Sequence, residues 1–598
     1  MGAAAERREG MPEKKQRRTE RICFAVVWAV LMAAAFYFCM QKQGFHEDEF
    51  YTYYSTARTN GFYVEDGQWM DGETYRKEFV VLPEERFQYG LVKQVQSWDV
   101  HPPMYYWVFH TAASFVPGVF SKWIGLSVNL IFHGINLILL TYLSHLICEK
   151  RRRTALLVTV FYGLSPAAMS GVVFIRMYEM LTVFVLLCAV LHVRAVRKSE
   201  SGSGRENRLP FLTFLLPMAA VTYVGFLTQY YYFIFLFYMG LAFCVYLLWR
   251  DRNLRSCLQY GISQGAAFVL AYLTYPVCLG QMFRGQRGAQ AANNFFDLSN
   301  TLTRVRFFFD LLDEYVFGNF LSVFLLLIVV MALAVYFRRH RGLLEGENGG
   351  RRRKPEGKAD GCPAGQETDR ILYGMLLFTA AGYFLTVAKT ALLLGSTSNR
   401  YQLPIYGISV LLVFWTVSGL WMQFAQKGSS AGGEKNEGGK GSERSGKDSK
   451  GWLVPLAVAA FCLAVDLSGL LANRVDFLYP EAKEAVALAK EQAAANIPVV
   501  YVYKPGEEWC IWAVADELME YDRVFFVSAS SEDAITEPAI ANAEAVVGYI
   551  PLYDDVKEEA AQAMRIPSGN QKLSWSYLQS SHKYCFESYY CNERRDTE

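Results

Sequence analysis

The strongest constraint on this chain is a series of long apolar runs separated by short basic segments. Runs near 22–40, 121–147, 154–172, 177–195, 210–226, 230–249, 257–281, 317–337, 370–394, 402–424 and 452–471 give about eleven crossings, each near the ~20 residues a bilayer needs. Between them stand "RREGMPEKKQRRTER" at the N-terminus, "CEKRRR", "RAVRKSESGSGRENR", "WRDRNLRS", "FRRHRGLLEGENGGRRRKPEGK" and "QKGSSAGGEKNEGGKGSERSGKDSK". With the N-terminus inside, every one of these basic segments falls on the cytoplasmic side, as the positive-inside rule asks. An odd number of spans then leaves the C-terminus outside. Of the 598 residues, 52% are hydrophobic, and the net charge of +2 hides a segregation of Lys and Arg from the acids. In such a chain that segregation encodes orientation and not nucleic-acid binding. The expected fold class is a polytopic α-helical membrane protein, multi-pass in the cell (plasma) membrane, with an extracytoplasmic C-terminal α/β domain.

The expected organisation runs as follows. Residues 1–21 are a cytoplasmic basic tail, and 22–425 are a transmembrane module with outer loops 41–120 and 282–316. Residues 426–451 are a disordered cytoplasmic linker, 452–471 the last transmembrane helix, and 475–598 the outer α/β domain. In the tail, "YPEAKEAVALAKEQAAAN" and "WCIWAVADELMEY" read as helices, and "IPVVYVY", "RVFFVS" and "AEAVVGYI" as buried strands. It has no GxGxxG or P-loop to hold a nucleotide. In the outer loops "PPMYYWVFHTAASF" reads as an interfacial helix and "LTRVRFFFDLLDEYVF" as an amphipathic one. The 12 cysteines sit mostly in apolar runs as small core residues, and Cys585 and Cys591 are the one pair placed for an outer disulfide. The first apolar run lacks a small-residue cleavage site and reads as a retained helix.

Polar residues that membrane helices do not carry without reason gather at the outer ends of the spans. Glu47, Asp48 and Glu49 follow the first span, and Asp99 and His101 stand in "SWDVHPPMYYW". Arg176 and Tyr178 lie in "IRMYEML", Gln229 in "LTQYYYF", and Arg400 and Tyr401 in "SNRYQLP". Acids near an interface suit a general base acting on a hydroxyl, and an arginine at the same level suits a departing phosphate. Each residue also has a plainer reading. The acids are then solvated span ends, Arg176 pairs with Glu179 at i+3, Arg400 snorkels, and Tyr230 to Tyr232 form an aromatic belt. Arg284 and Arg287 read as a solvated basic loop.

"DEF" after the first span, "DVHPPMYY", "RMY" and "RY" followed by Pro404 resemble the integral-membrane GT-C glycosyltransferases. The nearest group is the family 39-like one, with the protein O-mannosyltransferases and the aminoarabinose transferases of lipid A. The resemblance covers roughly residues 20–425, and "DxHPP" with its upstream "DE" is its most specific part. It implies a GT-C-like transmembrane catalytic module that uses a polyprenyl-phosphate sugar, inverts configuration, and is metal-tolerant or metal-independent. By position it implies Asp48 as base with Glu49 its neighbour, Asp99 as the second loop acid, and Arg400 near the donor phosphate. Glu47 is a third acid that the pattern lacks, so Asp48 and Glu47 both stand as candidate bases. Gln229 stands where related sequences often carry a His. If a cofactor is used, Mg²⁺ or Mn²⁺ held by Asp48, Asp99 and phosphate oxygens is the candidate. The expected partners are the lipid-linked donor, the bilayer and an extracytoplasmic acceptor in the cell envelope. A transporter or lipid flippase is the rival from another class, and it predicts mid-membrane charges and internal repeats. A glycan ligase or polymerase with a diphosphate-lipid donor is the nearer rival.

Overall fold

All eleven apolar runs are helical in the computed structural model, which describes residues 2–57, 64–148, 152–200, 208–250, 252–348, 364–429, 453–506, 508–531, 535–541, 543, 545–551, 574–581 and 586–592. Among the described residues eight helices are long and apolar enough to cross a membrane unbroken, or up to ten if each of two bent pairs counts as one span. The eleventh run, expected at 452–471, contributes the shorter apolar helix Ala459–Leu471 among the described residues. Proline explains both bends. Thr154–Gly163 and Pro166–Val173 meet at 57°, and Leu254–Thr274 and Cys278–Phe296 meet at 102° across Pro276. Proline has no N–H for the helix ladder and pushes the preceding residue out of the α region. Tyr275, just before Pro276, has φ −140° and ψ 79°. The basic N-terminal tail continues the first span as one helix, Gly2–Gln41.

The chain divides into two compact units. The first comprises residues 1–35, 130–171 and 177–475 and holds most of the spans. Its centre is the helix Tyr178–Glu200, buried on nearly every face and packed against Leu216–Thr228, Tyr231–Trp249, Ala364–Thr390 and Leu403–Ser429. The span Leu321–Arg338 is its opposite, apolar yet with 17% of its hydropathic window buried, so Leu326, Val329 and Leu333 face outward. In water that surface would aggregate; against lipid it costs nothing. Small residues permit the close helix contacts, since a Cβ on Gly382 would lie 2.4 Å from the Tyr238 ring. The amphipathic helix expected in the outer loop is Thr301–Phe317, which buries Phe308, Leu311 and Tyr315.

The second unit comprises residues 36–129, 172–176 and 476–598. Its six-stranded sheet has the order β1-β3-β2-β4-β6-β5: β1 is Gln68–Asp71, β2 Val499–Tyr503, β3 Arg523–Ser528, β4 Val546–Pro551, β5 Ser574–Ser581 and β6 Phe586–Asn592. β2 pairs parallel with β3 and β4, whereas β1, β5 and β6 join antiparallel. Every residue of β2 is buried, which is why "VVYVY" is apolar throughout instead of alternating. The core gathers Val500, Val502, Phe525, Val527, Ile540 and Val546. The helix Ala482–Ala494 packs through Ala482, Ala485 and Ala489, at helical spacing. The second expected tail helix is instead a 3₁₀ stretch, Glu508–Val514, followed by one α turn, Ala515–Leu518.

Strand β1 comes from the segment that follows the first span and not from the tail. Its Trp69 packs edge-on against Phe525, with ring centroids 5.1 Å apart, and lies under the Arg523 guanidinium at 4.1 Å. Gly72 then follows, donating its N–H to Asp522 O, where a Cβ would lie 2.1 Å from the Tyr521 carbonyl oxygen. Asp71 caps the next short helix by accepting from the Glu73 and Thr74 N–H groups. The expected interfacial helix is present as Met104–Ser114. Eight cysteines, Cys23, Cys39, Cys148, Cys188, Cys244, Cys257, Cys278 and Cys462, are free thiols. Cys585 and residues 430–452, and with them the expected disulfide and most of the expected disordered linker, lie outside the described residues.

Candidate active site

Within the second unit, the acid triplet opens the helix Glu47–Ala57. His46 is its N-cap. The Asp48 N–H donates to His46 Nδ1 at 3.0 Å, and the His46 N–H donates to the Glu49 carboxylate at 2.6 Å. This reciprocal pattern is a capping box with histidine in place of serine or threonine. It fixes Asp48 and Glu49 in different environments, because consecutive helical residues point about 100° apart. Glu49 turns fully inward. Its carboxylate accepts from Lys42 Nζ at 2.9 Å and from the Ile175 N–H at 2.7 Å, and neither partner of this ion pair has an exposed side-chain atom. Lys42 Nζ also donates to Phe477 O at 2.7 Å. Burial pushes the Glu49 carboxyl up, while Lys42 and the two N–H donors oppose it. Its oxygens are committed to framework bonds, and that assigns Glu49 a structural part where the sequence pattern suggested a catalytic neighbour.

Asp48 keeps 25% of its side chain exposed and faces Arg176, with Oδ1 and Nη2 4.0 Å apart. Arg176 is 3% exposed and donates through Nη1 to Asp48 O, Thr52 Oγ1 and Tyr106 OH, at 3.0, 3.2 and 3.0 Å. Those acceptors are neutral, so the guanidinium charge is directed through Nη2 at the Asp48 carboxylate and at His101 Nε2, 3.5 Å away. His101 Nδ1 lies 3.1 Å from Asp99 Oδ2. Burial would raise the Asp99 carboxyl, but His101 and Arg176 outweigh it and hold its pKa below the usual value. The result is a row, Asp99–His101–Arg176–Asp48, with a carboxylate at each end and the imidazole and guanidinium between them. Asp48 thus stands in the first turn of a helix and beside the Arg176 guanidinium, both regions of positive potential.

Local sequence explains how distant segments reach this row. Asp99 closes the helix Tyr89–Trp98, and Pro102 and Pro103 end that helix and start the next, leaving Asp99 and His101 on a short rigid turn. Arg176 lies in the non-helical stretch before Tyr178–Glu200, so the i+3 geometry expected for Arg176 and Glu179 does not apply. That stretch is held by Asn129, whose Nδ2 donates to Val172 O at 3.2 Å and to Phe174 O at 2.5 Å. Glu179 instead accepts from Asn136 Nδ2 at 2.7 Å and faces His133 Nδ1 at 3.5 Å, in the other unit.

The remaining candidates lie in the first unit. The 3₁₀ turn Thr397–Tyr401 carries Arg400, whose guanidinium sits 5.1 Å from the Tyr401 ring centroid and donates to Tyr401 OH at 3.3 Å. Tyr178 and Tyr231 pack edge-on against Tyr401, with centroids 6.0 and 5.9 Å away. Both Arg400 and Tyr401 are buried. Gln229 ends the helix Leu216–Thr228, and its side-chain oxygen accepts from the Tyr230 N–H at 2.6 Å, a turn-forming bond.

The donors present do not fit a resident dication. Among the described residues no three His, Cys, Asp or Glu side chains gather as a metal ion would need. Asp48 already faces the Arg176 guanidinium, and Asp99 is engaged by the His101 imidazole. The residues unforeseen from sequence are Lys42, His46, Thr52 and Tyr106. The spacing from His46 to Glu49 carries a legible capping signal, whereas Lys42 at a span end looks like an ordinary snorkelling lysine.

No protein-family model matches the chain, and no curated protein matches it. Among solved structures the chain is similar to ArnT from Cupriavidus metallidurans bound to undecaprenyl phosphate, at 12% identity over 94% of this chain and 98% of that one, with TM-score 0.42. It is also similar to the Archaeoglobus fulgidus oligosaccharyltransferase in the apo form, at 11% identity over 96% of this chain and 75% of that one, with TM-score 0.44. The archaeal oligosaccharyltransferase AglB in complex with an inhibitory peptide and a dolichol-phosphate, also from Archaeoglobus fulgidus, gives the same identity and coverage with TM-score 0.41.

Proposed function

We propose that this chain is a membrane glycosyltransferase that moves a sugar from a polyprenyl-phosphate donor to an extracytoplasmic acceptor hydroxyl. The observation that carries the reading is the Asp48 carboxylate, a quarter exposed, whose backbone N–H is held by the His46 cap and which faces the buried Arg176. Asp48 takes the proton of the acceptor hydroxyl as its oxygen attacks the anomeric carbon. The bond from that carbon to the phosphate oxygen breaks, and the lipid phosphate leaves with the electron pair, inverting the centre. Arg400, stacked on Tyr401, is proposed to hold the phosphate, since a guanidinium meets its oxygens in a bidentate way. Asp99 is proposed to act through His101, fixing the imidazole against Arg176 and so orienting the guanidinium that faces Asp48. No step runs through a metal ion.

The test uses purified full-length protein, radiolabelled polyprenyl-phosphate sugars and an envelope extract as acceptor source. Asp48→Asn is expected to lower transfer by about 10²–10⁴, the range for removing a general base. Glu47→Gln is expected to stay within a few fold. Full-rate transfer by Asp48→Asn removes Asp48 from the mechanism, and loss confined to Glu47→Gln moves the base to Glu47.

A further inference from the structure

A cavity of about 230 Å³ opens within the first unit, far along the helix Tyr178–Glu200 from its Tyr178 end. Four basic residues line it, Arg194, Arg197, Lys198 and Arg208, and among the described residues no Asp or Glu does. Arg197 is already engaged, its guanidinium bonded to Asp369 Oδ1 at 2.5 Å and to the Leu146 and Ile147 carbonyls. Arg194 and Arg208 are exposed. Asn253 and Ser256 also line it, at the N-terminus of the 21-residue helix Leu254–Thr274, where backbone N–H groups favour an anion. Leu191, Phe214, Phe243 and Leu247 give the rest of the wall an apolar stretch, beside Ser199, Thr213 and Tyr246. Next to it, Phe211, Leu212 and Leu254 are more than half exposed, a surface that suits acyl chains. The first of the helical turns here is a widened π turn, Phe211–Leu215, which contributes Thr213 and Phe214 to the wall.

We propose that this cavity binds an anionic phospholipid, with the headgroup phosphate between Arg194, Lys198 and Arg208 and the tails along the apolar wall. A basic pocket between membrane helices, beside outward-facing apolar residues, matches a phosphate that carries hydrocarbon better than a soluble anion. The site shares no residue with the row around Asp48 or with Arg400, and it stands whether or not the chain transfers a sugar.

The experiment reconstitutes the full chain in nanodiscs of phosphatidylcholine doped with phosphatidylglycerol and measures retained lipid by native mass spectrometry. Phosphatidylglycerol is expected to be retained over phosphatidylcholine. The double variant Arg194→Gln/Arg208→Gln is expected to bind it about 25-fold more weakly, at roughly fivefold per basic side chain near a headgroup. Thr213→Trp, at an exposed position of the wall, keeps the charges and fills the space. It is expected to lose the same lipid while eluting as a monodisperse protein. Equal retention of the two lipids, or an unchanged preference in both variants, overturns the site. Displacement of the lipid by millimolar glycerol phosphate or inorganic phosphate overturns the lipid assignment in favour of a soluble phosphate.

Discussion

Replacing Lys42 with Met isolates what the buried ion pair does. At 2.9 Å and an effective dielectric near 20, the attraction between Lys42 and Glu49 is about 6 kcal/mol before desolvation. Removing Lys42 leaves Glu49 buried with only the His46 and Ile175 N–H donors. Breaking one side of such a pair costs about 3–5 kcal/mol, or on the order of 10 °C in unfolding temperature. The pH dependence follows from the raised Glu49 pKa. A carboxyl whose folded-state pKa lies above its unfolded one contributes stability in acid that is lost as pH rises through the folded pKa. Lys42 opposes that rise, so in Lys42→Met the folded pKa climbs further and the deficit widens between about pH 5 and pH 8. Thermal unfolding in detergent, followed by tryptophan fluorescence, measures it across a cycle of Lys42→Met, Glu49→Gln and the double variant. The double variant is expected to recover part of the loss, because no uncompensated charge remains buried. Equal deficits at pH 5 and pH 8, or a coupling below about 1 kcal/mol, would refute the reasoning.

Arg176→Lys keeps the charge but cannot reach Asp48 O, Thr52 and Tyr106 together with Asp48 and His101, because an ammonium lacks the planar fork. It is expected to lower transfer by about tenfold or more with little change in KM for the acceptor; steady-state kinetics at saturating donor check it, and an unaltered kcat refutes it. His46→Ala removes the side-chain half of the capping box and is expected to cost about 0.5–2 kcal/mol. Amide exchange over residues 47–57 reads that loss, and unchanged protection there excludes the cap.

Much of the candidate site was legible because its chemistry sits in short motifs. The triplet 47–49, "DVHPP" and Arg176 were each visible as polar residues where apolar chain begins or ends, and the row Asp99–His101–Arg176–Asp48 joins them. What separates the three acids was not legible. Glu49 and Asp48 are neighbours in sequence, yet Lys42, the His46 N–H and the Ile175 N–H claim one, and the other keeps a quarter of its side chain in the open. Arg176 and Glu179 showed the reverse error, since i+3 spacing implies contact only inside a helix, and Arg176 lies before one. The bends at Pro166 and Pro276 were readable from proline alone, and counting apolar residues without them inflated the number of unbroken spans.

The sequence by itself determined the helices and their burial in lipid, because span length, apolar composition and basic flanks act locally on each run. It also determined β2, β3 and β4, whose unbroken apolar runs require cover on both faces. Only the tertiary structure decided that Gln68–Asp71 would complete the sheet of a tail more than four hundred residues later. Four polar-flanked residues carry no periodic signal strong enough to name a partner; their strand forms because the exposed edge of β3 supplies the hydrogen bonds that its backbone needs. The different burial of Asp48 and Glu49 was decided at the same level, since burial and pairing belong to the neighbours that long-range packing brings and not to the acids themselves.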